Sequence, residues 1–279
     1  MKRKFICFSS QNAMPDSVFL PGVKADEGFD IAAVERLAAS LRSEGIDLLS
    51  CRGYGAQIDS VKALALSLRY AGPLSDIYRR KVDPYSACDV EIELDPGCRG
   101  DELLPRCQFY IPEHRFFRAV ELPRCRISER VANDIPGTQR PDALLICLVK
   151  LVELSMHRKV SQGVRTCAAA LVSLALRSDP QDSISISRDG ARFIAAVQQT
   201  YRAESPLSYL AGILAAKTDS HQLSQCWLKV LQLVSPERAE PLLEKGEQWR
   251  IERLSLAEDV EKVMREKVSA SSVLYTLEC

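Results

Sequence analysis

From Asp89 to Asp95 the chain reads Asp-Val-Glu-Ile-Glu-Leu-Asp, so that Val90, Ile92 and Leu94 alternate strictly with four acids. Successive side chains of an extended strand point to opposite faces, which gives this segment one apolar face and one entirely acidic face. The apolar face needs a cover, and the acidic face needs water or cations. Pro96-Gly97 stops the strand. Two further strand candidates follow, Cys107–Ile111 and Arg124–Ile127, and in the second Arg124 and Arg126 share a face. The expectation is an antiparallel meander over residues 88 to 128 in which these arginines pair with the acids.

Upstream, residues 4 to 8 read as a short strand. Phe29 to Ser43 carries Ile31, Val34, Leu37, Ala38 and Leu41 at helical spacing, with Asp30 as cap and Gly45 as stop. Ile46 to Cys51 reads as a buried strand. A helix from about Ile58 to Tyr70 follows, closed by Gly72-Pro73.

After Asn133-Asp134-Ile135-Pro136-Gly137 the periodicity becomes helical. Helices are expected at 143–156, 164–176, 190–203, 207–216, 222–234, 239–253 and 256–268. In the fifth, Leu223, Cys226, Trp227, Val230, Leu231 and Val234 form a single core-facing stripe. Ser255 to Glu258 has the spacing of a capping box. The expected class is therefore α+β. Residues 1–137 would form a domain with a small mixed or antiparallel sheet and two or more helices, and residues 138–279 an all-α antiparallel bundle.

Charge and thiols bound the function. The 37 basic and 37 acidic residues cancel, leaving no global field to draw the protein to nucleic acid or to an anionic membrane. Ten cysteines spread through both halves, several inside apolar runs, fit reduced core thiols in a cytoplasmic protein. The basic start turns polar at Ser9, unlike a signal peptide. The longest apolar stretch, Ala143 to Leu154, contains Lys150 and Glu153 and falls short of the roughly 20 residues that span a bilayer.

Chemistry looks concentrated between Cys98 and Arg130. Arg99, Arg106, Arg115, Arg118, Arg124, Arg126 and Arg130 could grip phosphates, and Phe109, Tyr110, Phe116 and Phe117 could stack on bases. Against this, Asp101, Glu102, Glu113, Glu121 and Glu129 lie in the same stretch and leave it mildly basic. Cys88, Cys98, Cys107, His114 and Cys125 have ligand chemistry suited to zinc, yet no two stand as a close pair of the Cys-x2-Cys kind. They read better as packed thiols. Glu91 and Glu93, with His114, could hold a divalent cation for hydrolysis, although a solvated or arginine-paired edge is the simpler reading. Gly53-Tyr54-Gly55 follows a strand and precedes a helix, but it lacks the third glycine of a dinucleotide fingerprint and reads as an ordinary turn. No cofactor or metal is expected.

Glu27-Gly28-Phe29-Asp30 and its helix, followed by Asp59-Ser-Val-Lys62-Ala-Leu-Ala-Leu and Arg69-Tyr-Ala-Gly72, resembles a stretch near the N-terminus of phlebovirus and tenuivirus nucleoproteins. That resemblance covers a small part of the chain and implies a two-lobed, mostly helical RNA-encapsidating protein.

The reading that best fits the residues is a non-catalytic interaction or assembly protein whose helical half binds a protein partner. The alternatives are a nucleic-acid-binding, nucleocapsid-like protein using Arg99 to Arg130, and a metal-dependent hydrolase using strand 89–95.

Overall fold

The computed structural model describes residues 2–8, 17–21, 23, 29–94, 100–111, 116–130, 141–178, 183–201, 205–218, 223–248 and 253–270. The chain divides into two compact units, one of Met1–Asp95 with Asp101–Pro136, the other of Pro96–Gly100 with Gly137–Cys279.

In the first unit the elements run β1 (Arg3–Cys7), β2 (Ser17–Phe19), α1 (Ile31–Leu41), β3 (Leu48–Gly53), α2 (Ala56–Arg69), α3 (Leu74–Tyr78), β4 (Asp89–Leu94), β5 (Arg106–Ile111), β6 (Phe116–Glu121) and β7 (Ile127–Arg130). Helix α1 starts where Asp30 caps it, its side chain accepting from the Ala32 amide at 2.9 Å. The chain then turns at Gly45, whose φ of 64° suits a residue without a Cβ.

Five strands form one sheet in the order β2-β1-β3-β4-β7, every neighbouring pair parallel. Ile6, Cys51 and Ile92 sit side by side across its centre and are all buried. With Leu49, Val90 and Leu94 they make the apolar face. Helix α2 packs over β3 and β4, and α1 packs on α2. Burial reaches even the polar Ser60, Lys62 and Ser67 of α2.

The opposite face of β4 is the acidic one, and it is cross-linked rather than left to water. Arg3 of β1 bonds Glu91 and also donates to Ser50 Oγ of β3 at 2.7 Å. Arg52 of β3 reaches Glu93 at 3.7 Å, and Arg126 reaches Asp89 at 3.5 Å.

This architecture corrects the expected class. The sheet is parallel and the unit α/β, with α2 as the crossover between β3 and β4. The antiparallel meander does not form: β4 lies parallel between β3 and β7, and β5 pairs antiparallel with β6 in a separate two-stranded hairpin. Strict alternation suggested an antiparallel sheet with one face in water, because strands of parallel sheets usually read as continuous apolar runs. Ion pairs between neighbouring strands make the exception here. Arg124 precedes β7 in a turn with a φ of 55°, so it does not share a strand face with Arg126.

The second unit holds α4 (Pro141–Met156), α5 (Gln162–Arg177), α6 (Ser183–Tyr201), α7 (Pro206–Thr218), α8 (Leu223–Val234), α9 (Pro236–Gln248) and α10 (Glu258–Ala270). Helix α4 touches α5, α6, α8 and α9, and Leu145, Cys147, Leu148, Val149 and Leu151 are wholly buried. Cys226, Trp227, Val230 and Leu231 of α8 face the same core. A Cβ on Gly190 of α6 would stand 2.9 Å from the Cys147 sulfur, so α6 crosses α4 at a distance that glycine permits. The candidate boundary at 133–137 lies outside the described residues.

Replacing Ile92 by Ala should cost about 2–5 kcal/mol of stability, because it opens a cavity in the sheet's buried row. Glu93→Ala on the other face should cost less than about 1 kcal/mol, the scale of a partly exposed ion pair. Urea titrations followed by circular dichroism would compare the two.

Candidate functional site

A parallel sheet directs all its strand ends the same way. Ligands of such sheets bind beyond the carboxyl ends, where connections from adjacent strands leave in opposite directions. Here that switch falls between β1 and β3: β1 connects to β2 on one side, and β3 connects through α2 to β4 on the other. The turn leaving β3 is Gly53-Tyr54-Gly55, and it runs directly into α2.

Geometry requires glycine at the second of these positions. Gly55 has φ 52° and ψ −129°, a conformation closed to residues with a side chain. A Cβ on Gly53 would meet Gln57 Oε1 at 2.6 Å. The Gln57 amide donates to the Tyr54 carbonyl at 3.2 Å, tightening the turn. The Gly55 amide donates at 3.1 Å to Glu102 Oε1, a buried carboxylate from the segment that follows β4. The turn therefore already gives one main-chain N–H to an anionic oxygen.

Beneath the turn lies a buried polar cluster. Lys62, 1% exposed, donates its ammonium to the carbonyls of Asp101 at 3.2 Å and Arg106 at 2.9 Å. Arg106 in turn pairs with Asp101 at 3.2 Å. Asp59, one turn before Lys62, accepts from the Gln108 amide at 2.9 Å, while the Cys107 thiol donates to the Asp59 carbonyl at 3.1 Å. Together these bonds hold residues 101–108 against α2 and bring the segment after β4 beside the turn after β3.

Burial pushes the Asp59 carboxyl up to about 7, with Lys62 and the Gln108 amide opposing part of that shift. It also pushes the Cys51 thiol up to about 12 and raises Cys107 well above the ordinary thiol range. Burial thus favours the neutral form of both thiols.

The residues singled out in the sequence are placed differently. Arg106 and Arg126 pair with Asp101 and Asp89, and the Arg124 guanidinium lies 3.8 Å from the centre of the Tyr85 ring. Arg118 sits on β6 opposite Phe109, and Arg130 ends β7 opposite Glu93. Phe116 and Phe117 belong to β6, paired with Ile111 and Tyr110. Cys125 donates to the Cys88 carbonyl at 3.1 Å, and burial raises both thiols. Glu91 and Glu93 are held by arginines. Cys98, Arg99, His114 and Arg115 lie outside the described residues. In the carboxyl-edge cluster the Gly55 turn reads from sequence as an ordinary connection, and Asp59 and Lys62 were not singled out as site residues. A signal was present in Asp59 and Lys62, charged residues set beside the apolar Ile58, Val61 and Ala63 to Leu66 of the same helix.

No protein-family model matches the chain, and no curated sequence is similar to it. Solved structures do match, over nearly its whole length. Sulfoacetaldehyde reductase from Bifidobacterium kashiwanohense, in complex with NAD+, is 11% identical, with 100% of this chain and 87% of that one covered and a TM-score of 0.75. An iron-containing alcohol dehydrogenase from Thermotoga maritima is 16% identical, with 99% and 87% covered and a TM-score of 0.68. Maleylacetate reductase from Agrobacterium tumefaciens is 13% identical, with 97% and 83% covered and a TM-score of 0.63.

This likeness sets aside the α+β class with its small mixed or antiparallel sheet in favour of a Rossmann-like α/β fold shared with iron-containing alcohol dehydrogenases. The non-catalytic assembly protein, the nucleic-acid-binding protein with its nucleocapsid resemblance, and the hydrolase on strand 89–95 fall with it. The solved structures that share this fold are described as dehydrogenases and reductases.

Asp59 makes stability depend on pH. An unfolded carboxyl titrates near 3.8 and the folded one near 7, so between these values the native state holds a proton that the unfolded chain has released. The contribution is full below about pH 4 and is lost as pH rises through 7. Thermal midpoints measured from pH 5 to 8 should fall for the wild type, and Asp59→Asn should flatten that slope.

Proposed function

We propose that this chain is an oxidoreductase that takes a nicotinamide dinucleotide at the carboxyl edge of its parallel sheet and interconverts a small aldehyde or ketone with its alcohol. The observation that carries the reading is the Gly53-Tyr54-Gly55 turn, set at the switch between β1 and β3 and leading into the N-terminus of α2. A helix start offers unpaired amides and the positive end of its dipole to a pyrophosphate. The neighbour solved with NAD+ and the dehydrogenases and reductases around it support the same class.

The residues present suit such a group. Gly53 keeps the turn tight, Gly55 allows the chain to turn into α2 with no side chain over the approach, and Ala56 adds little bulk. Bound there, the dinucleotide would supply the hydride acceptor or donor. The chain's contribution is to hold it. Lys62 and Glu102 fix the segment after β4 beside the turn, and Glu102 sets a condition on entry. Its carboxylate occupies the Gly55 amide, so a phosphate must use neighbouring donors or displace it.

No helix among the described residues is long and apolar enough to cross a membrane. The eight described cysteines are all free, which supports a cytoplasmic setting for the proposed enzyme.

Titration with NADH and NADPH, followed by calorimetry or nucleotide fluorescence, tests the proposal. Saturable binding is expected, weakened about tenfold or more by Gly55→Val, since a β-branched residue cannot hold the Gly55 backbone conformation. Glu102→Gln keeps a hydrogen-bond acceptor and removes the charge, and should tighten binding. Absence of binding by a folded wild-type chain would end the reading.

A further inference from the structure

The chain itself already engages two amides of the Gly53-Tyr54-Gly55 turn. The Gly55 amide donates to Glu102 Oε1 at 3.1 Å, and the Tyr54 amide donates to Gln57 Oε1 at 3.4 Å. A pyrophosphate that takes the place of the Glu102 carboxylate brings two negative charges where one stood. Asp59 stands one helical turn away, its amide donating to the Gly55 carbonyl at 3.1 Å. Charges at such spacing act strongly on each other where burial lowers the dielectric.

Asp59 is placed to answer that change with a proton. It is partly buried, so solvent protons still reach it. Its Oδ1 accepts from the Gln108 amide at 2.9 Å. Lys62 of its own helix favours the ionised form, while Glu102 and Asp101, from the segment after β4, oppose it. Of the elements packed on α2, β5 brings the Cys107 thiol, which donates to the Asp59 carbonyl, and Arg106, which pairs with Asp101. Strand β3 brings Cys51, whose thiol burial keeps neutral, and the buried face of β4 is Val90, Ile92 and Leu94. The charged groups of α1 and its end bond elsewhere. Glu35 accepts from the Leu74 amide at 2.6 Å, Arg36 pairs with Asp30 at 3.5 Å, and Arg42 donates to the Ser67 and Tyr70 carbonyls. Because the Asp59 carboxyl titrates at about 7, a modest change in the charge around it moves its proton near neutral pH.

We infer that a dinucleotide binding at this turn draws a proton from solvent onto Asp59, so that nucleotide affinity falls as pH rises. The inference rests on the oxidoreductase reading for its ligand. Its sign follows from linkage. Negative charge added beside Asp59 stabilises the protonated carboxyl, which therefore titrates higher in the complex than in the free chain. Between those two values the complex holds a proton that the free chain has released. Affinity is highest below the free-chain value, falls across the interval and levels off above it. Each unit by which the carboxyl is raised corresponds to a loss of about tenfold in affinity across the interval.

Calorimetric titration of the full chain with NADH at about pH 7.5, in HEPES and in Tris, counts the protons taken up, because the two buffers release protons with different heats. NADH lacks the titrating 2′-phosphate of NADPH. The expected result is uptake of roughly 0.3 to 1 proton per NADH, with a Kd that rises about three- to tenfold between about pH 6 and 8.5. Asp59→Asn should bind NADH with no uptake and a flat pH profile. Glu102→Gln should keep the uptake, since the phosphate charge still arrives beside Asp59. Uptake that survives Asp59→Asn, or that vanishes in Glu102→Gln, places the proton elsewhere and overturns the inference. If Asp59→Asn does not fold, the wild type and Glu102→Gln decide it. NADH bound with equal heats in both buffers defeats this inference and leaves the oxidoreductase reading intact, whereas a folded chain that binds NADH at no pH defeats both.

Discussion

Burying the Lys62 ammonium under α2 creates a demand that the first unit is organised to meet. A charge removed from water costs several kcal/mol unless hydrogen bonds compensate it. Lys62 finds the carbonyls of Asp101 and Arg106, and Asp59, Glu102 and the Arg106–Asp101 pair complete the surroundings. Because those partners come from the segment after β4, one buried cation fixes where that segment runs. The turn after β3 is tied to the same segment through Gly55 and Glu102. The carboxyl edge of the sheet is thereby shaped by electrostatics within its supporting helix, before any ligand arrives.

The sheet solves a second problem in an unusual way. Parallel strands are normally apolar on both faces because helices cover both. Here β4 carries acids on one face, and Arg3, Arg52 and Arg126 reach them from the neighbouring strands and their ends. Each partly exposed pair is worth little alone. As a row across the sheet they neutralise charge that would otherwise stand unpaired at close spacing, while α1 and α2 build the core on the other face.

Local elements were legible where periodicity and punctuation agree. Asp30 as a cap, Gly45 as a stop and the β3–α2 turn all occur near their expected positions. Cys226, Trp227, Val230 and Leu231 of the α8 stripe are buried, and Val234 is partly so. Strand direction was not legible, since alternation records which face is apolar and carries no information about the orientation of neighbours. The hairpin β5–β6 and the parallel strand β7 were merged for the same reason. The candidate site was hidden by a fingerprint with too few glycines. Lys62 and Asp59 were passed over because a charged residue on a helix usually means a solvated face.

By itself the sequence determined the sites of most helices and strands and the two-faced character of β4, because these follow from residue types and their spacing. The tertiary structure alone decided that the strands run parallel, that a two-glycine turn stands at the switch between β1 and β3, and that Lys62 is buried against carbonyls some forty residues away. Those outcomes depend on which distant segments are brought together when the apolar face of the sheet is covered, and no local pattern encodes that pairing.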